Sequence, residues 1–350
     1  MLVDQSVEIM ALIRDGQVVD FGAASPLQAR VPGPVFPSRT QLILGFAAIY
    51  LIWGSTYLGI RYAVETIPPF LMMGIRHLTA GVVVFAYARM RGEPAPQFRQ
   101  WGWALGAGVL LFLGGHGILA WAEQKVPSGF AALLCATLPL WTVMLARVDG
   151  TERRLGLKAW AGILLGFGGV ALLIGPDALG QRLDLLAAGG VLSSALLWAV
   201  GTGYTRRVEL PSSTILSAAM QMIGGGVLLL LVGFSAGEGR QLHLHSLTLL
   251  SVLSLAYLIV FGSIVAFTVY TWLVPLSSPS MLSTYAYVNP VIAVLLGWTV
   301  AHEALGLRTI LATMVIVGGV ILVGTRRKQA AGAHKSQPVL LRRTAEMAAD

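Results

Sequence analysis

Along most of the chain, apolar runs of about 20 residues alternate with short polar stretches, the length a helix needs to cross the hydrocarbon of a bilayer. Ten such runs fall near 41–61, 69–88, 102–122, 128–146, 158–175, 184–204, 213–234, 248–272, 279–299 and 305–324. The pattern predicts an all-α integral membrane protein with ten transmembrane helices. The run 279–299 has 21 residues, roughly 31 Å as a helix, and it carries Tyr285, Tyr287, Asn289 and Pro290 in its middle. Pro290 has no amide hydrogen and its ring clashes with the preceding turn, which predicts a bend and a freed carbonyl near Ala286. Asn289 and Tyr285 stand four residues apart on one face, which predicts that this face turns away from lipid. The stretch Ala131–Met144 repeats the device, with Pro139 placed 151 positions before Pro290.

The repetition extends beyond the prolines. An offset of 145 pairs Trp53 with Trp198, Arg61 with Arg206, Arg76 with Gln221 and Gly81 with Gly226. GGVALLIG at 168–175 echoes GGVILVG at 318–324, and Trp121 matches Trp272 at the offset of the prolines. Each half then holds five spans, and an odd number forces the second half to sit inverted in the bilayer. Many secondary transporters follow that plan, with substrate sites between the halves near the midplane. The organisation expected is a disordered leader over 1–38, a first five-helix repeat over 39–176, a second, inverted one over 183–325 and a basic tail over 326–350.

Composition agrees: 56 % of residues are hydrophobic and 11 % charged, with a mean hydropathy of +0.75, far from the roughly 25 % charge of soluble domains. The net charge of +8 reflects topology rather than nucleic acid, because the basic residues lie in short loops and tails with no aromatic interleaving. Eighteen Lys and Arg fall on the side that holds both termini, including Arg89, Arg91, Arg153, Arg154, Arg206, Arg207 and Arg326–Lys328, against five on the other: Arg61, Lys125, Arg182, Arg240 and Arg308. By the positive-inside rule both termini face the cytoplasm. The single cysteine, Cys135, supports neither a disulfide nor a thiolate metal site within one chain. Residues 1–38 lack the apolar core of a cleavable signal.

Three stretches carry a resemblance: YLIWGSTYLGIRYAVETIPP followed by RHLTAG, VPSGFAALLCATLPLW, and TYAYVNPVIAVLLG with HEALG. Over about 40–325 the chain resembles the EamA family of the drug/metabolite transporter superfamily. The resemblance implies ten spans with both termini inside, and export of metabolites or amino acids. It assigns no binding residue.

The residues themselves nominate a substrate cavity. Arg76 is the one cation well inside a span; a charge there costs roughly 2.5–3.5 kcal/mol on insertion scales unless it meets a partner, water or substrate. It is expected to contact either the solute or the carbonyls of a broken helix. His77 and His116 also lie within spans, His116 between glycines that permit close approach. Trp53, Tyr57, Tyr285, Tyr287 and Asn289, with Trp198 and Gln221 as repeat counterparts of Trp53 and Arg76, complete the expected cavity wall, suited to an aromatic or amphipathic solute. Pro139 and Pro290 are the expected hinges. The other aromatics, Trp121, Trp141, Tyr204, Tyr270 and Trp272, fall near run ends, where an interfacial belt is expected. Glu65, Glu123 and Glu303 are placed at outer ends, which leaves no buried carboxylate to carry a proton. Proton coupling would then need His77 or His116.

Enzyme motifs fail: His302-Glu303 lacks the second histidine of a zinc protease, and no GxxxxGK[ST] loop exists. The reading is an inner-membrane secondary transporter that exports small neutral metabolites, aromatic or other neutral amino acids first, by alternating access. It needs no cofactor or metal, and its partners are the solute and the bilayer, with the chain acting as a monomer. The rival within the superfamily is a transporter of phosphorylated sugars or nucleotide sugars, which needs several cavity cations where only Arg76 qualifies. A rival of another class, an intramembrane lipid-modifying enzyme, needs a nucleophile with a base or a metal cluster in the spans, and neither is found.

Overall fold

The computed structural model describes residues 37–148, 157–174, 184–277, 282–283, 285–302 and 304–324. In chain order the helices are α1 (Arg39–Ala63), α2 (Pro69–Met90), α3 (Phe98–Glu123), α4 (Ser128–Cys135), α5 (Leu138–Val148), α6 (Leu157–Ile174), α7 (Leu185–Thr205), α8 (Thr214–Ser235), the single turn α9 (Glu238–Gln241), α10 (Leu249–Leu276), α11 (Tyr285–Thr299) and α12 (Leu307–Gly324). No strand occurs among the described residues. Six helices, α1, α2, α3, α7, α8 and α10, are long and apolar enough to cross a membrane. Shorter apolar stretches cover Ser128–Thr142, Trp160–Gly169, Val288–Thr299 and Leu307–Gly319. Large apolar side chains such as Leu44, Leu51, Leu164, Leu186 and Leu253 stand on the outside, where only lipid can satisfy them. The expected tail, the leader up to residue 36 and the 4–5 loop over 149–156 lie outside the described residues.

Two helix pairs form the tightest contacts, α2 with α8 and α6 with α12, and both depend on glycine. A Cβ on Gly81 would come within 2.8 Å of the Ile223 amide nitrogen, and one on Gly226 within 2.5 Å of that of Leu78. The contact is reciprocal: the offset of 145 that relates Gly81 to Gly226 also relates Leu78 to Ile223. In the second pair a Cβ on Gly169 would meet the Ile316 nitrogen at 2.9 Å, and one on Gly319 the Gly166 nitrogen at 2.7 Å. Here an offset of 150 exchanges the partners. Without a hydrophobic force between helices in lipid, such backbone approach is what dispersion requires.

Helix starts are fixed by polar groups. Pro68 and Pro69 open α2 with no local side-chain cap. Instead the buried Glu238 accepts from the backbone N–H of Phe70 at 3.3 Å and of Leu71 at 2.8 Å, satisfying two of the orphan donors every helix start presents. Asp184 caps α7 by accepting from Ala187 N–H at 2.9 Å and lies 3.0 Å from Lys125 Nζ. The Ala187 amide first, and Lys125 second, hold its carboxyl below the usual carboxylate range.

The two proline spans are not alike. The fourth run was expected to be one kinked helix, but it breaks into α4 and α5 across Ala136 and Thr137. Pro139 therefore sits in the first turn of α5, where a missing amide costs nothing, rather than inside a bent helix. Thr137 holds the break: its hydroxyl donates to the Leu134 carbonyl at 2.7 Å and accepts from Trp141 Nε1 at 3.1 Å. Pro290 does lie within α11, while part of the expected ninth span before it, 279–281 and 284, lies outside the described residues. α3 and α10 are also matched, each winding into a wider π-helical stretch, Gly108–Gly117 and Leu258–Val265.

Candidate functional site

The π-helical stretch of α10 is where the site is assembled. Widening the helix frees carbonyls from the usual ladder, and the Gly262 carbonyl accepts from Trp53 Nε1 of α1 at 3.2 Å. The next residue, Ser263, accepts from Arg76 Nε of α2 at 2.8 Å. Glycine at 262 is what admits both, since a Cβ there would lie 2.8 Å from Arg76 Nη2. Beyond Ser263 the chain of polar groups continues through His77, whose Nδ1 is 3.4 Å from Ser263 Oγ, to His116, whose Nδ1 is 2.9 Å from His77 Nε2.

Trp53 is the hub of an aromatic cage. Its ring centroid lies 5.7 Å from Trp198 of α7, edge-on, 5.0 Å from Tyr270 of α10 and 5.0 Å from Tyr285 of α11. His116 leans on Trp198 at 4.7 Å. Tyr270 is pinned by a 2.7 Å hydrogen bond between its hydroxyl and that of Thr202. Asn289, with its amide nitrogen turned toward them, donates to the carbonyls of Tyr285 and Tyr50, 3.1 Å each, and so fastens α11 to α1.

Trp53, His116, Trp198, Tyr285 and Asn289 enclose a cavity at this centre. Of the residues expected from sequence, Trp53, Tyr57, Arg76, His116, Trp198, Tyr285 and Asn289 line it, as does Pro290. His77 stands behind His116 as its hydrogen-bond partner. Gln221 does not join them: it donates to Ser217 at 3.0 Å and lines a second cavity with Arg206, Phe267 and Tyr270. The counterpart of Arg76 in the repeat thus faces a different space. The Tyr287 side chain lies outside those described.

Two expectations need correction. Tyr270, read as belt, is buried at the centre of the cage, because α10 runs on to Leu276 and draws it inward. Of the two contacts expected for Arg76, solute or freed carbonyl, the carbonyl is not made among the described residues: it donates to Ser263 and, from Nη1, to Met73 Sδ at 3.6 Å. Glu123, read as an outer-end carboxylate, is fully buried at the end of α3, so the spans do contain an enclosed acidic group.

Sequence reading also missed Thr56, Cys135 and Ser194, which line the cavity, and Gly262 and Ser263, which organise it. The last two had a legible signal, a glycine and a hydroxyl side by side inside the apolar run LIVFGSIV. Among the described residues no cluster of metal-ligating side chains occurs.

The EamA-like transporter family model matches this chain twice, over residues 40–175 and 185–325. An Escherichia coli K12 protein described as an uncharacterised inner membrane transporter, YedA, is 39 % identical over 278 residues, covering 79 % of this chain and 88 % of its own. The Bacillus subtilis transporter YvbV, also uncharacterised, is 27 % identical, covering 83 % of this chain and 93 % of its own. A solved crystal structure shares the fold with a TM-score of 0.60 at 22 % identity, over 85 % of this chain and 100 % of the other. With these relatives and its apolar helices, the chain is a multi-pass membrane transporter of the inner membrane and belongs to the EamA-like transporter family.

Proposed function

We propose that the protein exports small, largely apolar metabolites, aromatic or other neutral amino acids first, by alternating access around the aromatic cavity. The observation that carries this reading is the cage of Trp53, Trp198, Tyr270 and Tyr285, drawn from four helices and both halves of the sequence. Flat, hydrogen-bonding walls of this kind suit an aromatic solute. A sugar phosphate would call for several cations, and Arg76 alone among the lining residues is Lys or Arg.

The transport cycle rests on ten spans arranged as two inverted five-helix repeats with both termini in the cytoplasm. Support for the repeat comes from the exchanged glycine contacts of α2 with α8 and α6 with α12, and from the π-helical stretches of α3 and α10, which begin 150 positions apart. An alkaline phosphatase fused after Arg327 is then expected to be inactive. Strong reporter activity would overturn the topology.

Pro139 and Pro290 serve as the hinges, but unequally, since the first starts a helix after a break and the second interrupts one. Spin labels paired across the cytoplasmic and outer ends of the fourth and ninth spans test this. Two populations that shift on adding solute are expected, and Pro290→Ala should slow transport. Single, unshifted distances with wild-type transport in Pro290→Ala would leave the prolines as fixed architecture and remove alternation about them.

A further inference from the structure

We propose that Arg76 is a carboxylate anchor in the cavity, so that the protein selects solutes by their acid group. The inference rests on the aromatic-solute reading above and narrows it.

The cavity is lined by one guanidinium and by no Asp or Glu, while the enclosed Glu123 stands behind the lining within electrostatic reach of Arg76, Tyr57 and Cys135. Arg76 is almost wholly buried, lines the cavity and makes no ion pair among the described residues. Its hydrogen bonds use Nε on Ser263 and Nη1 on a methionine sulfur, a weak acceptor. Among the described residues Nη2 makes no hydrogen bond. The indole N–H of Trp198 is fully enclosed beside the Tyr270 and Tyr285 hydroxyls and offers a solute no open donor. Thr56 is committed to the Trp53 carbonyl, Ser194 to the Val191 carbonyl and the Asn289 amide to two carbonyls, while the Tyr57 and Tyr285 hydroxyls and His116 add neutral polar groups to the wall.

A charge that leaves water for such a space loses hydration worth several kcal/mol unless a counter-charge and hydrogen bonds replace it. A carboxylate finds a guanidinium with an open N–H group, the pairing that gives strong charge-assisted bonds. An ammonium finds no Asp or Glu in the lining itself, and the guanidinium there repels it. The solute class is therefore an aromatic or apolar monocarboxylate.

The test compares ligands that share a ring and differ at the polar end. Binding of 3-phenylpropanoate, L-phenylalanine, L-phenylalaninamide and 2-phenylethylamine to the full chain in lipid nanodiscs is read by tryptophan fluorescence. Both acids should saturate, with the amide and the amine at least about ten-fold weaker, the scale of a hydrogen bond to a charged group. Arg76→Gln should bring the acids down to the level of the amide. Amide as tight as acid in the wild type overturns the proposal, whatever the variant does, and so does acid binding that survives Arg76→Gln. Hexanoate and hexanamide separate this proposal from the reading beneath it. If all four aromatic compounds fail while hexanoate is still preferred over hexanamide, the anchor stands and the aromatic reading falls. If the aromatic amide or amine is bound as well as the acids, the aromatic reading stands and the anchor falls.

Discussion

Gly226→Leu is expected to remove the folded protein from the membrane. A Cβ at 226 would sit 2.5 Å from the backbone nitrogen of Leu78 and 2.8 Å from its Cα, distances no side-chain rotation relieves because the obstacle is main chain. Overpacking of this kind costs about 1–3 kcal/mol where neighbours can move, and more where two helix backbones must part along their length. α2 and α8 form the most extensive helix contact of the molecule, and α2 carries Arg76, so separation would also dismantle the cavity. Loss of the monodisperse peak in fluorescence-detected size exclusion is the readout. Gly203→Ala is the control, since nothing stands within 4 Å of a Cβ there, and it should behave as wild type. Leu78→Ala should not rescue Gly226→Leu, because the clash is with backbone. A Gly226→Leu protein that is as abundant and as stable as wild type would refute the close contact.

The pairing of Gly81 with Gly226 at one offset is legible in the sequence as an internal repeat, but the close approach of their helices is not, because a repeat relates positions without saying that they touch. The order along the chain and the approximate helix positions were equally readable, because apolar length is dictated by bilayer thickness. Depth within the bundle was not. Tyr270 was assigned to the interface by counting from the end of an apolar run, yet the helix continues past that end to Leu276. Glu123 is the last residue of α3 and would be exposed on an isolated helix. It is buried by the neighbouring helices of the bundle, which a linear pattern does not encode. Gln221 fails for a related reason: pairing positions along the sequence does not say what each side chain meets, and Gln221 bonds Ser217 of its own helix while Arg76 reaches Ser263 of another. Pro139 was taken as a kink because a proline inside an apolar run reads that way. The break two residues earlier, at Thr137, turns it into a helix-starting residue, and Thr137 gives no warning beyond being a hydroxyl among alanines and leucines.

Trp53 carries the second large effect and joins the site to transport. Its ring touches Trp198, Tyr270 and Tyr285, and its N–H supplies the donor for the Gly262 carbonyl. Removing so large a buried aromatic costs about 3–5 kcal/mol by the usual scale of Trp→Ala changes and leaves the cage without its hub. Trp53→Ala should therefore abolish solute exchange even in whatever fraction folds. Trp53→Phe retains a ring but leaves Gly262 without its donor, a loss of about 1–3 kcal/mol, and should keep partial exchange. The most direct measurement is counterflow in proteoliposomes of the full chain, loaded with unlabelled solute and given labelled phenylalanine, tryptophan, leucine or glucose 6-phosphate outside. The account predicts rapid uptake of the aromatic solutes, little of the sugar phosphate, and none of either with Trp53→Ala. Exchange of glucose 6-phosphate in preference to the aromatic solutes, or aromatic exchange undiminished by Trp53→Ala, would contradict it.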